Sequence, residues 1–277
     1  MGRAERTRLD EALVARGLAP NRSAARGIIM AGLVTVSGKV SDKAGTAVAD
    51  DAEIVVKQGR RYVSRGGEKL AHALDVLDID VEGTHALDVG ASTGGFVDCL
   101  LQRGATEVIA LDVGRGQLDG RLREDGRVHV IEKVNARHLT SALLPYSPDF
   151  LTMDVSFISV VKVLPSVVAC LQPAFEGLIL VKPQFEAGVQ QVGKGGIVRD
   201  EKVHRAVLME RAAFVIEELR IELLGMCSSG LAGADGNVEF FLHVGRGREE
   251  GVGLDRLEAM VEGTLVSVRP PEMGSVT

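Results

Sequence analysis

One run of nine residues, Asp88-Val-Gly-Ala-Ser-Thr-Gly-Gly-Phe96, constrains the fold of this chain more than any other stretch. Before it, Thr84-His-Ala-Leu-Asp-Val-Gly90 reads as a short buried strand, and after it Phe96-Val-Asp-Cys-Leu-Leu-Gln-Arg103 reads as a helix. A glycine-rich turn at such a junction lets a ligand approach bare backbone and meet a helix N-terminus. A second apolar strand, Glu107-Val-Ile-Ala-Leu-Asp-Val113, ends in Asp112, an acid at the spacing that suits the ribose hydroxyls of a nucleoside cofactor. A dinucleotide and S-adenosylmethionine both satisfy this pattern. The turn's glycines are Gly90, Gly94 and Gly95, which is not G-x-G-x-x-G, and that favours S-adenosylmethionine.

From residue 68 onward strands and helices alternate. Strands are expected at 85–90, 108–113, 128–133, 149–155, 178–183, 222–228 and 237–244, and helices at 95–103, 115–123, 157–170 and 201–219. The alternation predicts an α/β class with a doubly wound, mostly parallel sheet that binds ligands at the carboxyl ends of its strands. Four ionisable residues fall at that edge. Asp154 and Lys182 end apolar strands, Glu239 opens the last strand, and Lys69 starts a helix beside the apolar stripe Leu70, Ala73, Leu74 and Leu77. Any one of them alone reads as a solvated element end. Two lysines and two acids at one edge point instead to chemistry. Transfer of a methyl group to a ribose hydroxyl needs the hydroxyl proton removed, and Lys182 is the candidate base. Asp154 would orient it, while Lys69 and Glu239 would complete the charge network and position the ribose.

The N-terminal part has a different character. Residues 1–67 carry 12 Lys+Arg against 7 Asp+Glu, whereas the whole chain has a net charge of −6. A basic segment on an acidic body suits a polyanion-binding module. Thr7–Gly17 places Leu9, Leu13 and Val14 on one helix face, Asn21 caps a second helix running to Ala31, and a hairpin turning at Gly38-Lys39 follows, with a strand at Glu53–Lys57. Arg22 and Arg26 lie one helical turn apart, and with Arg8, Lys39 and Lys43 they form a candidate phosphate-binding stripe. The order R-L-D-x-x-L-x-x-x-G-L, N-R-S-x-A, G-x-V-x-V-x-G resembles the S4-type RNA-binding domain over residues 7–57, with Asn21 where a serine is more usual. That resemblance implies recognition of structured RNA by shape and backbone.

Further motifs extend the resemblance to nearly the whole chain. Asp88–Phe96, Leu111-Asp-Val-Gly-Arg-Gly-Gln-Leu118, Asp154-Val-Ser-Phe-Ile-Ser159, Val181-Lys-Pro-Gln-Phe-Glu186 and Gly193-Lys-Gly-Gly-Ile-Val198 resemble the TlyA family, which joins an S4-type domain to an FtsJ-like methyltransferase. The resemblance implies an S4-like α+β domain at 1–59 and a Rossmann-like class I methyltransferase domain with a mostly parallel seven-stranded sheet at 68–268; the glycine- and arginine-rich stretch between them reads as a linker at 60–67, and the residues at 269–277 read as a disordered tail. It implies an S-adenosylmethionine-dependent 2′-O-methyltransferase acting on cytidine of small- or large-subunit ribosomal RNA, with Lys69, Asp154, Lys182 and Glu239 as catalytic tetrad. Cofactor contacts are then expected from Asp88, Gly90, Ala91, Ser92, Gly94, Gly95, Phe96, Asp112, Val113 and Asn135, and RNA contacts also from Arg65, Lys194 and Arg199. Thr93 stands where the wider FtsJ pattern has proline.

Several alternatives are bounded by the same residues. Enzymes that methylate base amines hold the amine with an acceptor at the position of Lys182, and a cationic lysine offers none. Some members of the family carry hemolysin names, yet the sequence shows neither a secretory leader nor a spanning segment, so cytoplasmic location without a membrane partner is expected. An RNA-binding assembly factor without activity is disfavoured by the intact turn, Asp112 and tetrad. Cys99, Cys170 and Cys227 are far apart in apolar surroundings, so neither a disulfide frame nor a metal site is expected. The segment from Gln184 to Arg199 holds four glycines and reads as a mobile loop closing over RNA.

Overall fold

The computed structural model describes residues 6–57, 61–233, 236–247 and 251–268. The chain divides into two compact units, Met1–Arg61 and Tyr62–Thr277. In the first, β1 (Arg6–Arg8) runs into α1 (Leu9–Ala15), followed by α2 (Arg22–Met30), β2 (Val34–Val36), β3 (Lys39–Val40), β4 (Ala47–Ala49) and β5 (Ile54–Val56). Leu9, Leu13, Ala25, Ile29, Val34 and Val48 close its core. Asn21 Oδ1 accepts the Ala24 N–H at 2.9 Å and so caps α2. The hairpin turns at Ser37-Gly38, one residue before the expected pair, because both residues take positive φ (49° and 77°), the type I′ combination that matches strand twist. The pairing of β1 with β4 was not legible, since strands of three residues are too short to show alternation.

The second unit is α3 (Arg65–Val76), β6 (His85–Val89), α4 (Gly95–Gln102), β7 (Glu107–Asp112), α5 (Gly120–Arg123), β8 (Val128–Glu132), β9 (Phe150–Met153), α6 (Leu164–Val168), β10 (Phe175–Val181), α7 (Pro183–Glu186), α8 (Glu201–Ala213), β11 (Glu222–Ser228), β12 (Phe240–Arg246) and α9 (Leu254–Val266). The seven strands order as β11-β12-β10-β9-β6-β7-β8, with β12 antiparallel to both neighbours. Alternate residues of each strand feed opposite faces. Leu87, Ile109, Leu151 and Ile179 join Leu164, Val207 and Val261 on one side; Ala86, Val108, Phe150 and Leu178 join Leu70, Leu74 and Leu100 on the other. Strands covered on both faces are apolar throughout, which is why they stand out in the sequence.

Helix lengths depart from expectation. The helix expected at 115–123 is only α5, that at 157–170 is a 3₁₀ turn (Val160–Lys162) plus α6, and α8 passes into a π-helical turn at Phe214–Glu218. The last two strands expected to bear on the site shift as well, to 175–181 and 240–246, which leaves Glu239 one residue ahead of β12. Helix α9 was not anticipated. The linker expected at 60–67 is shorter than that. Tyr62 is buried, Val63 N donates to Asp98 at 2.8 Å, and Arg65 opens α3. The pair Gly66-Gly67 looked like linker glycine but serves packing, since a Cβ on Gly67 would lie 2.3 Å from the Tyr62 ring and 2.8 Å from the Gly95 carbonyl. Residue 60 and the tail expected at 269–277 lie outside the described residues.

Gly67→Ala is therefore expected to destabilise the second unit by about 1–3 kcal/mol through overpacking, read as a lower urea midpoint. An unchanged midpoint would detach residues 62–67 from that unit.

Candidate active site

The chain leaves central β6 toward β7 and β8, then crosses back to β9, and a ligand crevice opens at such a reversal. Three strand ends are tied together there. The Gly90 and Ala91 N–H groups donate to Leu111 O at 2.8 and 3.1 Å, and Asp154 N donates to Val89 O at 2.9 Å. Gly90 has φ 89°, and a Cβ there would sit 2.3 Å from the Asp154 carbonyl, so no larger residue fits. The result is a cleft of about 480 Å³ lined by Gly90, Ser92, Asp112, Val113 and Asn135, together with Gln117, Val134, Asp154, Ser156, Phe157 and Ile158. Asp112, the acid expected to meet a ribose, is engaged by the backbone of its own turn. Its two oxygens accept Ser92 N at 2.7 Å and Gly114 N at 2.6 Å, bracing the turn at the cleft wall. Asn135 likewise caps the short turn after it by accepting Arg137 N at 3.0 Å.

Beside the cleft lies a recess of about 130 Å³ lined by Ser64, Gly66, Lys69, Asp88, Ala91, Gly95, Phe96 and Asp154. Phe96 is buried against Phe241, their ring centroids 5.9 Å apart. Gly94 borders neither hollow; it caps the N-terminus of α4, and a Cβ there would run into Leu118 and Leu122. Asp88 is buried; Oδ1 accepts from Thr152 Oγ1 at 2.8 Å, while Oδ2 has no partner among the described residues. Burial pushes the Asp88 carboxyl up to about 8; the Thr152 hydrogen bond opposes the shift, and Asp154 and Asp112 add to it.

The four tetrad candidates meet as two pairs. Lys69 Nζ lies 2.5 Å from Glu239 Oε2, both side chains buried. Lys182 Nζ forms an ion pair with Asp154 and donates to Ser156 Oγ at 2.9 Å. Lys69 and Asp154 face the same recess, and the β10–β12 register, Val181 opposite Phe240, brings Lys182 level with Glu239. Sequence reasoning missed what surrounds them. Phe157 is 90% exposed with φ 62°, and its ring packs on Phe185 at 5.0 Å while Lys182 Nζ lies 6.0 Å from the Phe185 centroid. The Phe157 loop is held by Glu186, whose side chain is buried and accepts from Ser159 Oγ (2.6 Å), Val160 N (2.8 Å) and Arg211 Nη1 (2.9 Å). The one sequence signal was an aromatic residue in a polar strand-to-helix connection. The Glu186–Arg211 contact spans 25 residues and left none.

Of the basic residues, Arg8, Arg22 and Arg26 converge, though on a carboxylate. All three bond Asp10, which is fully buried, and Arg8 above all holds its carboxyl well below the usual range. Lys39 and Lys43 are exposed on β3 and in the loop before β4, and share none of these contacts among the described residues. Arg65 is exposed and donates to Ala232 O at 2.6 Å. Lys194 and Arg199 are exposed on the 187–200 loop, whose second half is tied down: Asn237 accepts Val198 N and donates to Gly196 O, each at 2.9 Å.

Residues 62–246 match the FtsJ-like methyltransferase family and residues 7–54 the S4 domain. A 16S/23S rRNA (cytidine-2′-O)-methyltransferase TlyA from Mycobacterium tuberculosis (strain ATCC 25618 / H37Rv) is 46% identical over 241 residues, 86% of this chain and 90% of the relative. The chain belongs to the TlyA family. Hemolysin A of Brachyspira hyodysenteriae is 42% identical over 238 residues, 85% of this chain and 98% of that one. A solved, hemolysin-named structure from Streptococcus thermophilus is 37% identical and superposes with a TM-score of 0.70, covering 95% of this chain and 96% of the other. The motifs of this TlyA-family member thus converge on one sheet edge, and no helix among its described residues is long and apolar enough to cross a membrane.

Asp88 yields a pH prediction. Its folded-state pKa of about 8 lies above the ordinary 3.8, so folding takes up a proton between those values and stability is lost as pH rises through that window. Asp88→Asn is expected to flatten that part of the stability curve and to melt above the wild type at pH 8.5, while binding the cofactor more weakly. Thermal melts at pH 5 and 8.5 with a ligand titration check both. A variant that melts below the wild type at both pH values would contradict the burial penalty.

Proposed function

We propose that this protein transfers a methyl group from S-adenosylmethionine to the ribose 2′-hydroxyl of a cytidine in ribosomal RNA, acting on ribosomal subunits in the cytoplasm. The observation that carries this reading is the pairing of Lys182 with Asp154 and of Lys69 with Glu239, with Asp154 lining the cleft and both Lys69 and Asp154 lining the adjoining recess.

The residues present suit the cofactor. Val113, Val134 and Ile158 offer apolar walls beside Asp112 and Asn135, which would hold a nucleoside. The adjoining recess sets Asp88 and Asp154 against Lys69, the charges needed for an amino-acid end, and an ammonium there would supply the partner that Asp88 Oδ2 lacks. When bound, S-adenosylmethionine supplies an electrophilic methyl on a sulfonium. The remaining task belongs to the chain. With its own proton first released to solvent, the neutral Lys182 amine accepts the hydroxyl proton, and the ammonium so re-formed is received by the Asp154 carboxylate and Ser156 hydroxyl already in contact with the lysine. The buried Lys69–Glu239 pair holds the ribose and its own geometry together, since removal of either partner alone strands a buried charge. Phe157 offers an exposed ring beside Phe185 for a base to stack on.

Incubation with labelled S-adenosylmethionine and unmodified ribosomal subunits is expected to place label on a cytidine ribose. Lys182→Ala should lower that rate by at least about 100-fold with cofactor affinity unchanged. Label on a base, or full activity in Lys182→Ala, would overturn the assignment.

A further inference from the structure

Asp10 is an unusual group for a small basic domain. It sits on the first turn of α1 with its side chain fully buried, yet it is surrounded by arginines rather than by one partner. Arg8, ending β1, bonds it in a two-pronged fashion through Nε (3.0 Å to Oδ1) and Nη2 (3.1 Å to Oδ2). From α2, Arg22 Nη2 and Arg26 Nε reach Oδ2 at 3.2 and 3.1 Å. Arg22 Nη1 also meets Glu11 at 3.2 Å. A carboxylate buried for stability alone needs one such partner, and crowding three guanidinium groups on it adds mutual repulsion. What the crowding secures is geometry. Each guanidinium carries five donors in a rigid fork, and these contacts use one or two of them. The remaining donors stay on side chains that are about half exposed.

The geometry points to Asp10 as a positioning residue that fixes Arg8, Arg22 and Arg26 into one preformed receptor for the phosphate groups of the RNA substrate. This rests on the reading that the substrate is RNA. Three long side chains held in advance lose little further freedom when phosphates arrive, and their forks match phosphate oxygens in pairs. Arginines acting as diffuse charge need no such hub, and for them Asp10 is only an unwanted anion beside a polyanion.

The two views predict opposite signs for Asp10→Asn. The substitution removes a negative charge, so diffuse attraction predicts tighter binding and a steeper dependence of log affinity on log salt. Positioning predicts binding about 5–10-fold weaker at moderate salt, a difference of about 1–1.4 kcal/mol, with a shallower salt slope despite the gain in net charge. Binding of full-length protein to purified unmodified ribosomal subunits is measured across a salt series, alongside a thermal melt. Because Asp10→Asn can fail to fold, the double variant Arg22→Lys/Arg26→Lys is measured with it. That variant keeps every charge and touches only half-exposed side chains, and it should weaken binding to a similar degree. Folded Asp10→Asn that binds as tightly as wild type or tighter would overturn the inference, as would wild-type affinity in the double lysine variant. If Arg22→Glu/Arg26→Glu leaves binding unchanged, this face does not contact RNA and the inference falls while methylation by the wild type still stands. Absence of both binding and methylation in the wild type would remove the underlying reading as well.

Discussion

The ladder on either side of β6 governs everything else in the catalytic unit. Val89 O takes the Asp154 amide, Leu111 O takes the Gly90 and Ala91 amides, and the parallel register carries these ties down both neighbouring strands. A parallel ladder aligns strand ends, so whatever follows Val89, Leu111 and Met153 in the sequence arrives at one edge. There the backbone of Gly90 passes so close to the Asp154 carbonyl that a side chain cannot intervene, and the cleft opens from that approach. Antiparallel β12 enters from the opposite end and so delivers its first residues, with Glu239 just before them, to the same edge.

Electrostatics then sorts the edge into distinct tasks. Two lysines and two carboxylates neutralise one another pairwise, which makes their burial tolerable. Asp88 stands apart, in no ion pair among the described residues and with one oxygen lacking a hydrogen-bond partner among them. An unpaired buried carboxylate works against stability, and such sites persist where a ligand completes them. The same logic runs in reverse around Asp10, where a single buried anion has three cations and the surplus faces outward.

Much of this was legible because it is local. The glycine turn after β6, the acid after β7 and the apolar strands of a doubly covered sheet are written in consecutive residues, and the helix cap at Asn21 and the basic balance of the first unit are equally short-range. The four tetrad positions were also readable, since a charged residue that ends an apolar strand needs a partner or a task. Their candidate roles came from the chemistry that methyl transfer to a hydroxyl needs and from resemblance to a family, and their contacts came from the fold.

What the chain by itself determined is therefore the class of fold, the cofactor turn and the identity of the ionisable groups at the sheet edge. Only the tertiary structure decided which of those groups touch. It put Asp10 beneath three arginines that looked like an open stripe, placed Glu186 against Arg211 at the Phe157 loop, and drew Tyr62 and Gly67 out of an expected linker into the core. The physical reason is common to all three. Periodicity reports which face of an element is apolar, but ion pairs, close backbone approaches and packed glycines depend on distances between elements far apart in sequence.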